Sequence, residues 1–157
     1  MRLQAILTTA FCISLCSLTA SMNAAASDYA DAYYAKNFIS PSGNIVCQGD
    51  GITDEDYPKQ GVRCFIFKHK DTPRYTKDAQ DCPLDWIPSY AVMNKGRGEY
   101  TGFCHGDVFW KPDSPKLGYG KTIKGDGWQC TSQKTGMRCT NRQGHGFHLS
   151  QANQKAW

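Results

Sequence analysis

Apolar positions along the chain fall into short runs separated by turn-forming residues. Beyond the N-terminal stretch the first run is Phe38-Ile39, followed by Ser40-Pro41-Ser42-Gly43-Asn44 and then Ile45-Val46-Cys47. Proline presets φ for a turn, and Gly or Asn accepts positive φ, so residues 38–47 predict a β-hairpin. Gln48 to Gln60, with the acidic run Asp54-Glu55-Asp56, predicts a loop. Gly61-Val62-Arg63-Cys64-Phe65-Ile66-Phe67 is rich in β-branched and aromatic residues and predicts a strand. Residues 68–81 are charged and hold Pro73, which marks a surface excursion, and 82–88, with prolines near both ends, predicts irregular chain. Further short strands are expected at 90–93, 103–104, 108–110 and 122–123.

The C-terminal part carries a second hairpin signal. Trp128-Gln129-Cys130-Thr131 and Met137-Arg138-Cys139-Thr140 flank a five-residue connection, 132–136, that ends in glycine. A final strand is expected at Phe147-His148-Leu149, after the turn Gly144-His145-Gly146, with Trp128 and Phe147 in the core. The two hairpins echo each other, since Gly61-Val62-Arg63-Cys64 and Gly136-Met137-Arg138-Cys139 share one pattern. After residue 26 no helical period is sustained over ten or more residues. The fold class expected is all-β, a small disulfide-stapled sandwich or barrel built from short strands and hairpins.

The N-terminus changes the picture of compartment. Arg2 precedes an apolar, Ser/Thr-broken stretch that holds no charge until Asp28, and Ala24-Ala25-Ala26 offers a small-residue cleavage site. That order predicts a cleavable secretory signal over 1–26. A lead-in arm or short helix over 27–37, carrying Tyr29, Tyr33 and Tyr34, and one domain over 38–157 follow. The stretch is too short and polar for the roughly 20 apolar residues of a membrane span. The expected location is therefore exported, periplasmic or secreted, with no transmembrane segment after cleavage.

Six cysteines remain beyond residue 26: Cys47, Cys64, Cys82, Cys104, Cys130 and Cys139. An even number in a small exported domain predicts disulfides, and pairing of neighbours, 47 with 64, 82 with 104 and 130 with 139, is favoured because each closes a compact loop. No C-x-x-C spacing occurs, which disfavours zinc, and no cofactor is expected. The net charge is only +4, which disfavours a dedicated nucleic-acid binder. Charge is uneven, however: residues 27–85 hold 7 basic and 10 acidic side chains, and 86–157 hold 10 basic and 4 acidic. An acidic partner on the C-terminal side is a secondary expectation.

Several segments resemble a family of small exported bacterial proteins known only as domain of unknown function 6636. They are the stretch 38–47, Val62-Arg63-Cys64, Cys104-His105-Gly106-Asp107, Leu117-Gly118-Tyr119-Gly120, Trp128-Gln129-Cys130-Thr131-Ser132, and the run from Gly136 to Ser150. Leu117-Gly118 stands where the resemblance would place Leu-Pro, and 65–103 matches loosely. The resemblance implies an exported, cystine-containing β domain and brings no activity, cofactor or ligand.

Candidate chemistry is sparse. His105 and Asp107, joined in the fold by His145 or His148 with Lys121 or Lys124, would make an acid–base kit for phosphodiester hydrolysis. The same letters are explained by turn capping at Asp107 and by a glycine-bracketed turn at His145, and an extended 145–148 segment would point the two histidines to opposite sides. No nucleophile elbow or phosphate-cradling loop is present. The favoured reading is a non-catalytic binding module or inhibitor acting on a protein or envelope polymer. Trp110, Lys111 and Tyr119, in a stretch rich in glycine and proline, are its expected recognition residues. The alternatives are the histidine-dependent hydrolase and a structural envelope component without ligand.

Overall fold

The structure, a computed structural model, describes residues 33–52, 57–70, 77–106 and 109–157. The expected signal over 1–26, most of the arm over 27–37, and Asp107 lie outside the described residues.

The chain is all-β, with a single four-residue helical turn, Lys77–Gln80, among the described residues. Of the two expected architectures it forms the sandwich. One antiparallel sheet orders β1 (Tyr34–Ile39), β2 (Ile45–Gly51), β3 (Gly61–Ile66), β5 (Ser89–Met93) and β6 (Glu99–Tyr100). The other orders β12 (Gln154–Ala156), β11 (Gly146–Leu149), β10 (Gly136–Asn141), β9 (Trp128–Gln133) and β8 (Thr122–Lys124). A two-stranded ribbon pairs β4 (Asp85–Ile87) with β7 (Phe103–His105).

The echo between the two hairpins is architectural. β3 and β10 are the central strands of their sheets, and each is tied to the preceding strand by a cystine between directly opposed residues, Cys47–Cys64 and Cys130–Cys139. One row across the first sheet reads Phe38, Cys47, Cys64, Tyr90, Tyr100. The matching row across the second reads Ile123, Cys130, Cys139, Phe147, Ala156. The rows face each other in one core with Val62, Val92, Met137, Leu149 and Trp128. Trp128 and Phe147 are buried as expected. The third cystine, Cys82–Cys104, anchors the ribbon to the segment before it.

The two sheets differ on their outer faces. In the first, Ile39, Val46 and Phe65 point away from the sandwich core and pack under Ile87, Phe109, Phe103 and Trp110 from the ribbon and the segment after it. That sheet is covered on both faces, which explains the near-continuous burial along β2 and β3. Of the polar groups caught in this layer, Gln48 Nε2 donates to the Phe109 carbonyl at 2.8 Å, whereas the Arg63 guanidinium lies 4.2 Å from the centre of the Tyr57 ring and its buried Nε has no hydrogen-bond partner among the described residues. The second sheet alternates buried and exposed positions and leaves its outer face bare.

Several expected boundaries shift. β1 begins at Tyr34, inside the segment expected as an arm, because the β2 backbone pairs with polar Lys36 and Asn37. β2 runs on to Gly51 rather than looping at Gln48; Gly49 leaves room for the Trp128 indole, with which a Cβ there would collide. Residues 85–87, expected irregular, form β4 because Cys104 and its neighbours supply a partner strand. Phe109 and Trp110, expected in a strand, lie outside any strand. Ser132, Gln133 and Gly136 join the hairpin arms, which shortens the connection to Lys134-Thr135. β6 and β12, with two and three residues, were not foreseen.

Candidate functional site

The β1–β2 turn is unusually well tied. Ser40 Oγ accepts from the Ile45 amide at 3.0 Å and lies 3.2 Å from Ser42 Oγ, while Gly43 takes φ 75° to close the turn. Asn44 extends the tie to the end of β3: its amide donates to the Lys68 carbonyl at 2.8 Å, and its oxygen accepts from the Lys68 amide at 2.7 Å. This reciprocal pair acts as one rung of a ladder made by a side chain. The result is a rigid wall standing at one end of the sandwich.

A groove opens on each side of that wall. The larger, about 750 Å³, is lined by the β1–β2 turn, Lys68, Tyr119, the Gln133–Gly136 turn and His148. The smaller, about 520 Å³, is lined by Ile39, Val46, Phe67, Trp110, Pro112 and Lys116. Ser42, Asn44 and Lys68 belong to both. Three lysines, 68, 116 and 134, line the pair, and among the described residues no Asp or Glu does.

Local structure places the aromatic walls. Gly118-Tyr119-Gly120-Lys121 is a β-turn closed by the Lys121 amide on the Gly118 carbonyl at 3.0 Å, with Gly120 at φ 76°. The Gly120 amide then bonds the Ser132 carbonyl at 2.7 Å, so Tyr119 projects from a turn fastened to β9 and is half exposed. Trp110 packs its ring 4.9 Å from Phe67 and 5.2 Å from Phe109. The chain after it turns at Lys111-Pro112-Asp113-Ser114 and is stitched to β1 through Ile39, whose amide and carbonyl bond Pro115 and Leu117.

Of the expected recognition residues, Tyr119 and Trp110 stand in the two grooves, and Lys111 supplies the carbonyl that closes the turn after Trp110. The histidines are dispersed. His105 stacks among Phe103 and Phe109 on the ribbon side of the first sheet. His145 and His148 belong to the second sheet and its preceding turn. The His145 amide donates to Asn141 Oδ1 at 3.1 Å, a turn role. His148 reaches the larger groove, and burial and the neighbouring Arg138 charge hold its pKa below the ordinary 6.5. The structure therefore places His105 and His148 on opposite outer faces of the sandwich.

The sequence reading missed Asn44, Phe67, Lys68, Lys116 and Lys134. The available signal was the density of turn formers at 40–44, which marks a rigid loop but not what it separates. Three sulfur atoms, of Cys64, Cys130 and Cys139, also cluster, but they belong to two cystines that offer no thiolate to a metal.

No curated protein and no solved structure matches the chain. The family model described as "Family of unknown function (DUF6636)" matches residues 14–157, and the chain belongs to that family.

Proposed function

We propose that this chain is an exported, non-catalytic binding module that holds a glycan strand of the cell envelope in the two grooves beside the Ser40–Asn44 wall. One observation carries the reading: two grooves that share a rigid hydrogen-bonded wall present Tyr119 on one side and Trp110 with Phe67 on the other, with lysines and no acid among their described lining residues. Aromatic faces cover the apolar side of a sugar ring, and Ser, Asn and Lys groups at the rim bond its hydroxyls. Rigid walls lower the ordering cost of binding. The three cystines, and the absence among the described residues of any helix long and apolar enough to cross a membrane, are compatible with export.

Sedimentation with purified envelope glycan, using protein recovered from its producing cells, tests the reading. The protein is expected to co-sediment, and Tyr119→Ala is expected to weaken binding about tenfold, the size of a modest hot spot. Failure to co-sediment, or binding unchanged in both Tyr119→Ala and Trp110→Ala, overturns it.

A further inference from the structure

The larger groove does not end at the wall. Gln133, Gly136 and His148, which line it, also belong to β9, β10 and β11, whose outer face is the bare one. Register and burial show what that face carries. Thr122, Thr131, Arg138, His148 and Lys155 stand side by side across the five strands, each on a different one. Two residues further along lie Lys124, Gln129 and Thr140, beside a hollow of about 420 Å³ rimmed by Arg142.

The charge on this side is predominantly positive. The strands β8 to β12 contain no Asp or Glu, and residues 114–157 hold seven Lys and Arg against one acid, Asp126. Asp126 pairs with Arg142 at 3.8 Å, at the rim. Arg138 is held by stacking 4.5 Å from the Trp157 ring, and Thr122 and Thr131 share a hydroxyl contact of 2.8 Å. Adjacent strands lie about 4.8 Å apart, so Arg138, His148 and Lys155 form an evenly spaced row with a cation on each side of the imidazole.

We infer that the outer face of the second sheet continues the groove as a docking track for an anionic polysaccharide, one bearing carboxylate groups along its length. The inference rests on the groove reading above and deepens it by naming the ligand's charge. Charge complementarity selects an acidic partner. The face turns Thr, Gln, Lys, Arg and His outward, and Trp157 is already covered by Arg138, so it offers no apolar wedge for a bilayer and no free aromatic platform for bases. A hydrophilic chain with regularly spaced charge and many hydroxyls fits what remains.

Polygalacturonate, with dextran of equal length as the neutral control, serves as the probe. The full protein is expected to bind polygalacturonate at least tenfold more tightly than dextran, with the excess lost at high salt. Lys124→Glu with Lys155→Glu, both at exposed positions, is expected to remove that excess while leaving the urea midpoint near that of the unmodified protein. Should the charge-reversed pair disturb folding, the Lys124→Gln and Lys155→Gln pair is expected to lower binding severalfold. Equal affinity for the two polymers, or binding unchanged in the lysine variants, overturns the track; if Tyr119→Ala still weakens envelope-glycan binding, the groove reading stands alone. Binding to anionic phospholipid vesicles with none to polygalacturonate also overturns it. No binding to any glycan defeats both readings together.

Discussion

The Sγ atoms of Cys64 and Cys139 stand 3.9 Å apart, so the cystines of the two hairpins touch at the centre of the core. Both residues are fully buried. Each sheet thus brings its covalent clasp to the same place, and the interface between the sheets is built on sulfur packed among Val62, Met137 and Phe147. Cys82–Cys104 is different in kind. It is partly exposed and ties the ribbon, outside this core.

Exposure therefore sets the order of reduction. Mild thiol treatment of the folded protein is expected to open Cys82–Cys104 first, with the other two bridges protected until global unfolding. Alkylation followed by peptide mass mapping checks this, and early labelling of Cys130 or Cys139 would contradict it. Replacing Cys130 and Cys139 by Ala is expected to cost about 2–4 kcal/mol of stability, read from urea midpoints.

A second link between the sheets runs through Asp50. Its carboxylate accepts from Trp128 Nε1 at 2.6 Å and from the Asp126 amide at 3.0 Å, while its own backbone sits at φ 54°. Aspartate and asparagine tolerate that region better than most residues. Asp50→Ala is expected to lose about 1–3 kcal/mol, since it strands a half-buried indole N–H and keeps the backbone strain. Asp50→Asn, which retains an acceptor and the backbone tolerance, is expected to lose less. Tryptophan fluorescence followed through urea unfolding distinguishes them.

These links show what was legible in advance. The hairpin strands, the pairing of neighbouring cysteines and the all-β class were readable because cystine spacing, turn formers and β-branched runs are local signals, while the choice between sandwich and barrel was not. The second burial layer was not, since Ile39, Val46 and Phe65 are covered by residues such as Phe109 that arrive from far along the chain. Tertiary partners likewise made strands of 85–87 and 154–156, which carry little strand signal of their own. At the candidate site, Tyr119 and Trp110 could be singled out as aromatics in loops. Asn44 and Lys68 could not, because their importance is a contact between residues 24 apart.

Arg63 illustrates such a hidden contact. It is enclosed under Tyr57, whose hydroxyl donates to Glu99 Oε1 at 2.5 Å. Burial, then the Glu99 hydrogen bond and charge, hold the Tyr57 phenol well above its ordinary 10.0, against the opposing pull of Arg63. Tyr57 is thus expected to stay protonated at about pH 11, where free tyrosine ionises. Ultraviolet titration to that pH should show the same amplitude in Tyr57→Phe as in the unmodified protein. A smaller amplitude would mean that Tyr57 ionises with the exposed tyrosines.

His148 supplies the pH dependence. Burial first, and then the Arg138 charge, disfavour its imidazolium, with a partial offset from a backbone hydrogen bond at Thr135. Its folded pKa therefore lies below the unfolded value near 6.5, and the neutral form is the one the fold prefers. Above pH 6.5 the ring is neutral in both states and its contribution is fully present. As pH falls from 6.5 through the folded pKa, the unfolded chain takes up the proton first, and that contribution is lost. The expected result is a urea midpoint that declines between pH 7.5 and 5, with a shallower decline in His148→Gln. Arg138→Gln should also flatten it, because it removes the like charge while keeping the ring buried. If the slope is identical in all three proteins, the histidine titrates as though it were in water, and the packing of β11 against Arg138 and the Thr135 turn does not act on its charge.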